Sequence, residues 1–383
     1  MTETTTAPAK KRARFNALNV SEIRKLTDEA IEVAFAIPEE LLDDYNYVPG
    51  QYVALRADID GEEVRRSYSI CAEPVPGEIR VAIKKDFGGL FSTWAHEELA
   101  VGDTINVMNP QGSFTSRVQT TALNDPEAIA QEHDGGHFVA IAAGSGITPI
   151  MSIVSTILKS TPSATFDLVY ANRSAMDVMF AEELGDLKDK YPSRLSIHHV
   201  LSREQRISPL MSGRIDEDKL SELLTNIIPV ENAVEWFLCG PFELVQMTRD
   251  QLKDRGVADD AVRFELFTTG DPKEDRGHRG RPVQLDPKGE NRTIDFALDG
   301  LSSTVETPVS ANESVLNAAL RVRPDTPFAC AGGVCGTCRA KVVSGTFEMD
   351  ENYALETDEV EAGYVLTCQT RPTSDTLTVD YDA

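Results

Sequence analysis

Six cysteines occur in the 383-residue chain, and four of them follow a pattern that implies chemistry. The run Cys330-Ala-Gly-Gly-Val-Cys335-Gly-Thr-Cys338 is completed further on by Cys368. C-x4-C-x2-C with a distant fourth cysteine is the ligand spacing of a plant-type [2Fe-2S] cluster. Two irons bridged by two sulfides need two thiolates each, which these four residues supply. Glycines at 332, 333 and 336 suit a loop that wraps a cluster and turns backbone N–H groups toward sulfur. A zinc site is the alternative, but zinc favours two C-x2-C-like pairs and only one is present.

Two further stretches could hold a redox cofactor. In Arg66-Ser67-Tyr68-Ser69-Ile70 a guanidinium can grip a phosphate bidentately, an aromatic ring can lie against an isoalloxazine, and the Ser69 hydroxyl can hydrogen-bond the N5 edge. In Gly88-Gly89-Leu90-Phe91-Ser92 a glycine pair opens an apparent helix through Leu99. Free N–H groups at a helix N-terminus favour a diphosphate. A third stretch, Gly144-Ser145-Gly146-Ile147-Thr148-Pro149, follows the apolar run from Phe138 and precedes a helix-like segment. Strand, glycine turn and helix form the phosphate cradle of a nucleotide-binding unit, although Pro149 stands where a G-x-G-x-x-G fingerprint has its last glycine.

The elements that must position these residues are legible in the periodicity. From 15 to 119, short alternating apolar runs (Val33–Ile37, Tyr52–Leu55, Ile79–Ile83) separated by Gly, Pro and Asp turns predict an antiparallel β-barrel. Residues 120–136 are polar and acidic and read as a loop. From 137 to 268, strands at Thr165–Tyr170, Leu195–Leu201, Val234–Leu238 and Val262–Phe267 are interspersed with helices at Ala181–Lys190, Glu217–Leu224 and Glu243–Lys253. That alternation predicts a doubly wound α/β sheet, with ligands at the carboxyl ends of its strands. The places to look are Asn172-Arg173, Ser202-Arg203 and Cys239-Gly240-Pro241. A serine hydroxyl and a guanidinium at Ser202 and Arg203 suit the 2′-phosphate of NADPH, where an acidic residue would select NADH.

Residues 269–289 are rich in Gly, Pro and charge and predict a tether. Residues 290–383 predict a β-grasp ferredoxin domain, with strands at Arg292–Leu298, Ser302–Glu306, Arg339–Val343 and Thr376–Tyr381 and one helix from Glu313 to Arg321 capped by Asn312. Residues 1–14 read as a disordered leader.

Composition narrows the function classes. The formal net charge of −25 argues against nucleic acid or an anionic membrane surface as a partner. No apolar run of about 18 residues is present, so no membrane span is expected. Cys71 and Cys239 are left outside the cluster pattern, which is no disulfide framework and suggests a reducing cytoplasm. Between Glu348 and Glu361 there are seven acids and no base, either a solvated face or a docking surface for a basic partner. The six histidines show no ligand spacing.

Arg66-x-Tyr68-Ser69 followed by Gly88-Gly89-x-x-Ser92 resembles the flavin-binding pattern of the ferredoxin-NADP reductase superfamily, and the resemblance implies FAD. The G-x-G-x-x-P form at Gly144–Pro149 resembles that family's pyridine-nucleotide turn. The resemblance also implies that Cys239-Gly240 lies beside the nicotinamide, and that Glu265 and Phe267 bring an acid and an aromatic near the flavin. Asn172-Arg173 and Ser202-Arg203 look like its NADPH-preferring members. Within the superfamily the chain resembles the reductase subunits of bacterial phenylacetyl-CoA epoxidases. This rests on Arg65–Cys71, Ala143–Pro149, Ser212–Asp216, Phe328–Cys338, Met349–Leu355 and Ala362–Cys368. The implied activity is electron transfer from NADPH through FAD and the cluster to the di-iron oxygenase subunits of a multicomponent monooxygenase. No paired Glu-x-x-His motif occurs here, so oxygen chemistry belongs to a partner. Reductases of aromatic-ring dioxygenases or membrane hydroxylases share the same modules, and a redox-sensing module is a further alternative.

Overall fold

A computed structural model describes residues 14–383 apart from 87, 113, 117–135, 268–288, 299, 324–325, 329–332, 334–335 and 353, and apart from the side chains of 62 and 63. The expected leader and most of both linkers therefore lie outside the described residues. The chain divides into two compact units, one spanning Ala17–Asp275 and one comprising Arg276–Phe328 and Gly332–Ala383.

The first unit begins with an antiparallel barrel. Its strands are β1 (Phe15–Thr27), β2 (Ala30–Ala36), β3 (Tyr52–Ile59), β4 (Glu62–Ser69), β5 (Glu78–Lys84) and β6 (Thr104–Met108), ordered β4-β3-β6-β1-β2-β5. A bridge from Ile70 to Val81 brings the end of β4 onto β5 and closes the ring. Residues two apart share a strand face, so Val33 and Phe35, Val53 and Leu55, and Val81 and Ile83 all point into one apolar core. Helix α1 (Leu90–Glu97) covers one end of the barrel, contributing Phe91 and Ala95 to that core. The Pro49-Gly50 turn needs its glycine: φ is +93°, and a Cβ would stand 2.0 Å from the Phe114 carbonyl oxygen.

The same unit continues into a parallel sheet of β7 (His137–Ala143), β8 (Thr165–Asn172), β9 (Leu195–Leu201), β10 (Ala233–Gly240) and β11 (Val262–Leu266), ordered β11-β10-β7-β8-β9. One face, carrying Phe138, Ala140, Phe166 and Phe237, packs on α2 (Ile147–Ser160) and α3 (Ala181–Lys190). The other face, carrying Val139, Ile141, Val169 and Trp236, packs on α4 (Glu217–Asn226) and α5 (Phe242–Asp254). Helices on both faces are the doubly wound plan. The strand order reverses between β7 and β10, so a crevice opens there at the carboxyl ends.

In the second unit β12 (Asn291–Leu298), β13 (Leu301–Pro308), β14 (Arg339–Ser344), β16 (Tyr364–Leu366) and β18 (Thr376–Asp380) form a mixed sheet ordered β13-β12-β18-β14-β16. β15 (Phe347–Met349) pairs with β17 (Thr370–Pro372) beside it. Helix α6 (Val315–Val322) lays Val315, Ala318 and Ala319 on Ile294, Phe296, Leu377 and Val379, which completes a β-grasp core. The helix starts later than its apolar pattern suggested. Ser314, not Asn312, is the N-cap and accepts from Asn317 N, while Asn312 takes a left-handed conformation that ends the preceding turn. Within the acidic stretch, α7 (Thr357–Glu361) opens with a Glu356/Glu359 capping box. Arg339 pairs with Glu359 at 2.7 Å and Arg371 with Asp350 at 2.8 Å, so part of that acid is used internally.

Candidate functional site

The barrel brings the two flavin-type stretches together. Arg66 and Tyr68 share one face of β4, and the Tyr68 ring lies 5.8 Å from that of Phe91 in α1. Arg66 is exposed and donates to the Arg65 carbonyl at 2.7 Å. Gly88 has φ +88°, and Gly89 is the N-cap of α1 with no side-chain cap, which leaves the first-turn N–H groups of the helix available. Ser92 acts on the loop itself. Its buried hydroxyl accepts from Asp86 N at 3.0 Å and so shapes the Gly88-Gly89 turn from inside.

A second convergence joins barrel to sheet. Ser69, 4% exposed at the end of β4, donates from Oγ to Glu265 Oε2 at 3.3 Å. Glu265 lies opposite Cys239 in the register of β11 and β10, and Phe267 N donates to Gly240 O at 2.9 Å. The Cys239 thiol is wholly buried, and burial, then the Glu265 charge, pushes its pKa well up, so it is a neutral thiol at physiological pH. At the switch point the Gly144–Gly146 turn ending β7 presses on the Cys239-Gly240 end of β10. A Cβ on Gly146 would stand 2.2 Å from Cys239 O, so only glycine allows this approach.

The outer strand ends are tied together by their backbones. Ser202 N donates to Asn172 O at 2.9 Å and Arg203 N to Arg173 O at 2.7 Å. Both polar atoms of the buried Asn172 amide lack a partner, as a polar ligand site would leave them. Arg203 is exposed, and no ion pair forms on it among the described residues. Arg173 is engaged: it pairs with Glu29 of the barrel and with Asp177, each at 2.5 Å. Together with Arg24, which pairs with Glu32 and Glu183, it ties sheet to barrel. The Thr148 hydroxyl donates to Ser145 O at 3.0 Å and locks the turn. Lys84, which no motif flagged, ends β5 beside Gly144; burial, then the Arg173 charge, lowers its pKa.

In the second unit Cys338 is 1% and Cys368 7% exposed, and neither is in a disulfide. Arg339 pairs with Leu366 across β14 and β16, which carries the two cysteines to the same end of the sheet. Thr367 donates to Cys338 O from N at 3.1 Å and from Oγ1 at 2.9 Å. Gly333 and Gly336 have φ of +79° and +70°, conformations that glycine adopts at low cost. Cys330 and Cys335 lie outside the described residues. A buried soft-thiol pair on a glycine-shaped loop fits an iron–sulfur group. Gln369, missed in the sequence, donates from Nε2 toward Cys368 Sγ at 3.8 Å.

Comparison with known proteins gives these sites a common context. The family model described as an oxidoreductase FAD-binding domain matches residues 17–116, the oxidoreductase NAD-binding domain matches 140–250, and the 2Fe-2S iron-sulfur cluster binding domain matches 298–373. A component of the 1,2-phenylacetyl-CoA epoxidase of Escherichia coli K12 is 40% identical over 96% of this chain and 98% of its own length. This chain belongs to the ferredoxin-NADP reductase superfamily, in the branch bearing a [2Fe-2S] ferredoxin domain. The ferredoxin reductase component of the 3-ketosteroid-9-alpha-monooxygenase of Rhodococcus rhodochrous is 32% identical over 95% of the chain and 96% of its own length. A solved structure of phthalate dioxygenase reductase shares the fold, with a TM-score of 0.52 at 22% identity over 96% of this chain and 98% of that one.

As a member of this superfamily the chain is an NAD(P)H-dependent oxidoreductase with FAD, a nicotinamide nucleotide and a [2Fe-2S] cluster as its cofactors. When bound, the nicotinamide supplies a hydride, the flavin accepts the electron pair, and the cluster passes electrons singly. The protein residues position and exclude. Ser69 Oγ, held by Glu265, can exchange a proton or hydrogen bond with a group bound where the barrel meets the sheet. The small neutral Cys239 puts no charge at the carboxyl end of β10. The uncapped starts of α1 and α2 favour diphosphates. Among the described residues no helix is long and apolar enough to cross a membrane.

Proposed function

We propose that this chain is the reductase component of a multicomponent monooxygenase that epoxidises phenylacetyl-CoA, drawing electrons from NADPH and delivering them to a di-iron oxygenase. The observation that carries the destination is the 40% identity to the Escherichia coli epoxidase component, which runs along nearly the full length of both chains. In this reading Arg66, Tyr68, Ser69, Gly88 and Gly89 hold FAD, and Ser92 shapes the Gly88-Gly89 turn from inside. Gly144, Gly146, Thr148, Asn172, Ser202 and Arg203 hold NADPH, with Cys239 and Gly240 at the nicotinamide and Phe267 near the flavin. Ser69 and Cys239 serve hydride transfer, and Cys330, Cys335, Cys338 and Cys368 ligate the cluster. The unpaired Arg203 beside Ser202 supports a preference for a 2′-phosphate. Arg173 contributes by fixing the two modules, since its guanidinium already serves two carboxylates.

A steroid oxygenase reductase is the second reading, supported by the 32% identity over 95% of the chain. The deciding experiment isolates the tagged protein with its partners from its source cells and follows NADPH oxidation. Consumption that depends on phenylacetyl-CoA is expected. Consumption driven instead by a 3-ketosteroid would overturn the epoxidase assignment while leaving the reductase intact.

A further inference from the structure

Gln369 directly follows the last assigned cluster ligand, and both ends of its backbone are fixed. Its N–H donates to Leu366 O at 2.8 Å, and its carbonyl accepts from Asp350 N at 2.9 Å. The next residue, Thr370, opens β17, and its buried hydroxyl donates to the same Leu366 carbonyl at 2.8 Å. The side chain of Gln369 runs across Gly333, which lies in the loop between Cys330 and Cys335. A Cβ on Gly333 would stand 2.8 Å from Gln369 Cγ, 3.4 Å from Cδ and 3.1 Å from the Glu351 carbonyl oxygen. Gly333 admits this crossing because it has no side chain, and the crossing sets where the amide lies. From there Nε2 donates to Cys368 Sγ at 3.8 Å, a length suited to sulfur, which is larger than oxygen. A leucine or methionine could follow the same path, but neither carries a donor.

We propose that Gln369 tunes the cluster: its side-chain amide donates a hydrogen bond to the Cys368 thiolate and so favours the reduced state. The inference rests on the cysteine ligation assigned above. A cysteine that ligates iron is a thiolate, and a charged acceptor makes a stronger hydrogen bond than a neutral thiol does. Reduction adds negative charge that the sulfurs share, so a donor at one of them raises the reduction potential. Gln369 acts through Cys368 and is a positioning residue rather than a ligand.

The test is Gln369→Leu in the full-length holoprotein, titrated potentiometrically with the reduced cluster read by electron paramagnetic resonance. At a fixed potential the reduced-to-oxidised ratio should fall about threefold, a downward shift of ~28 mV at 59 mV per tenfold for a one-electron couple. Resonance Raman of the oxidised cluster should show a terminal Fe–S(Cys) stretch moved to higher frequency, since that sulfur no longer shares its electrons with a donor. The flavin couple, read in the same titration, should not move. An unchanged potential and stretch in a variant that keeps its cluster would reduce Gln369 to packing and overturn the proposal. Should the leucine variant lose its cluster, Gln369→Met keeps an unbranched chain over Gly333 without a donor, and the same fall is expected. Loss of the cluster from both variants would make the side chain a brace for the loop, and that too would overturn the tuning role. Wild-type protein without [2Fe-2S] signals would instead count against the ligand assignment.

Discussion

Gly146→Ala perturbs the point where the Gly144–Gly146 turn meets the Cys239-Gly240 end of β10. Gly146 has φ −61° and ψ −7°, a backbone that alanine adopts freely, so any effect is steric. The added Cβ would stand 2.2 Å from Cys239 O, 2.6 Å from its carbonyl carbon and 3.0 Å from Gly240 N. These are backbone atoms of a central strand, paired on both sides with β7 and β11, and they cannot rotate away. Reaching ordinary contact near 3.4 Å requires the two turns to part by roughly 1.2 Å. Overpacking of this kind costs about 1–3 kcal/mol. For a unit of this size that lowers Tm by about 2–12 °C. The kinetic effect should be larger, because a displacement of about 1 Å at a reacting pair can cost ~10²-fold. Anaerobic stopped-flow reduction of the flavin by NADPH should slow on that order. Flavin content and the dithionite-reduced cluster spectrum should stay as in the wild type. A variant reducing its flavin within about twofold of wild type would refute the claim that this close approach sets the hydride geometry.

Two further outcomes follow from the assigned roles. Cys335→Ser should abolish NADPH-driven cytochrome c reduction and leave ferricyanide reduction by the flavin largely intact; equal loss of both would reverse the assumed order of electron flow. Arg203→Ala removes a charge-assisted contact worth about 1.5–3 kcal/mol, so the KM for NADPH should rise by roughly 10–100-fold with little change for NADH. A uniform rise for both coenzymes would place recognition of the 2′-phosphate elsewhere.

Part of this molecule is local, and local features are legible one residue after another. Cysteine spacing names a cluster because metal ligation demands particular atoms at particular separations along a loop. Alternation in Val33–Phe35 or Val81–Ile83 marks barrel strands because a pleat repeats every two residues. The helices at Ala181–Lys190 and Glu217–Asn226 begin where their apolar periodicity begins. Where competing local signals were close, sequence reading slipped: Asn312 and Ser314 are both good caps, and only the turn preceding α6 decides between them.

What the tertiary structure alone decided is which of these residues meet, and which way their side chains turn. Ser69 and Glu265 are 196 positions apart and touch because β11 lies at the edge of a sheet packed against the barrel. Ser92 faces its own loop, and Arg173 faces Glu29 and Asp177, although both carry motif positions that suggest direct cofactor contact. Gly146 is required by a carbonyl 93 residues away, a constraint invisible in its own neighbourhood. Residue type and spacing specify the chemistry a chain can perform, because covalent structure determines donors, acceptors and thiols. Where those groups point depends on long-range packing and on the electrostatic partners that the fold delivers, and no local pattern encodes that.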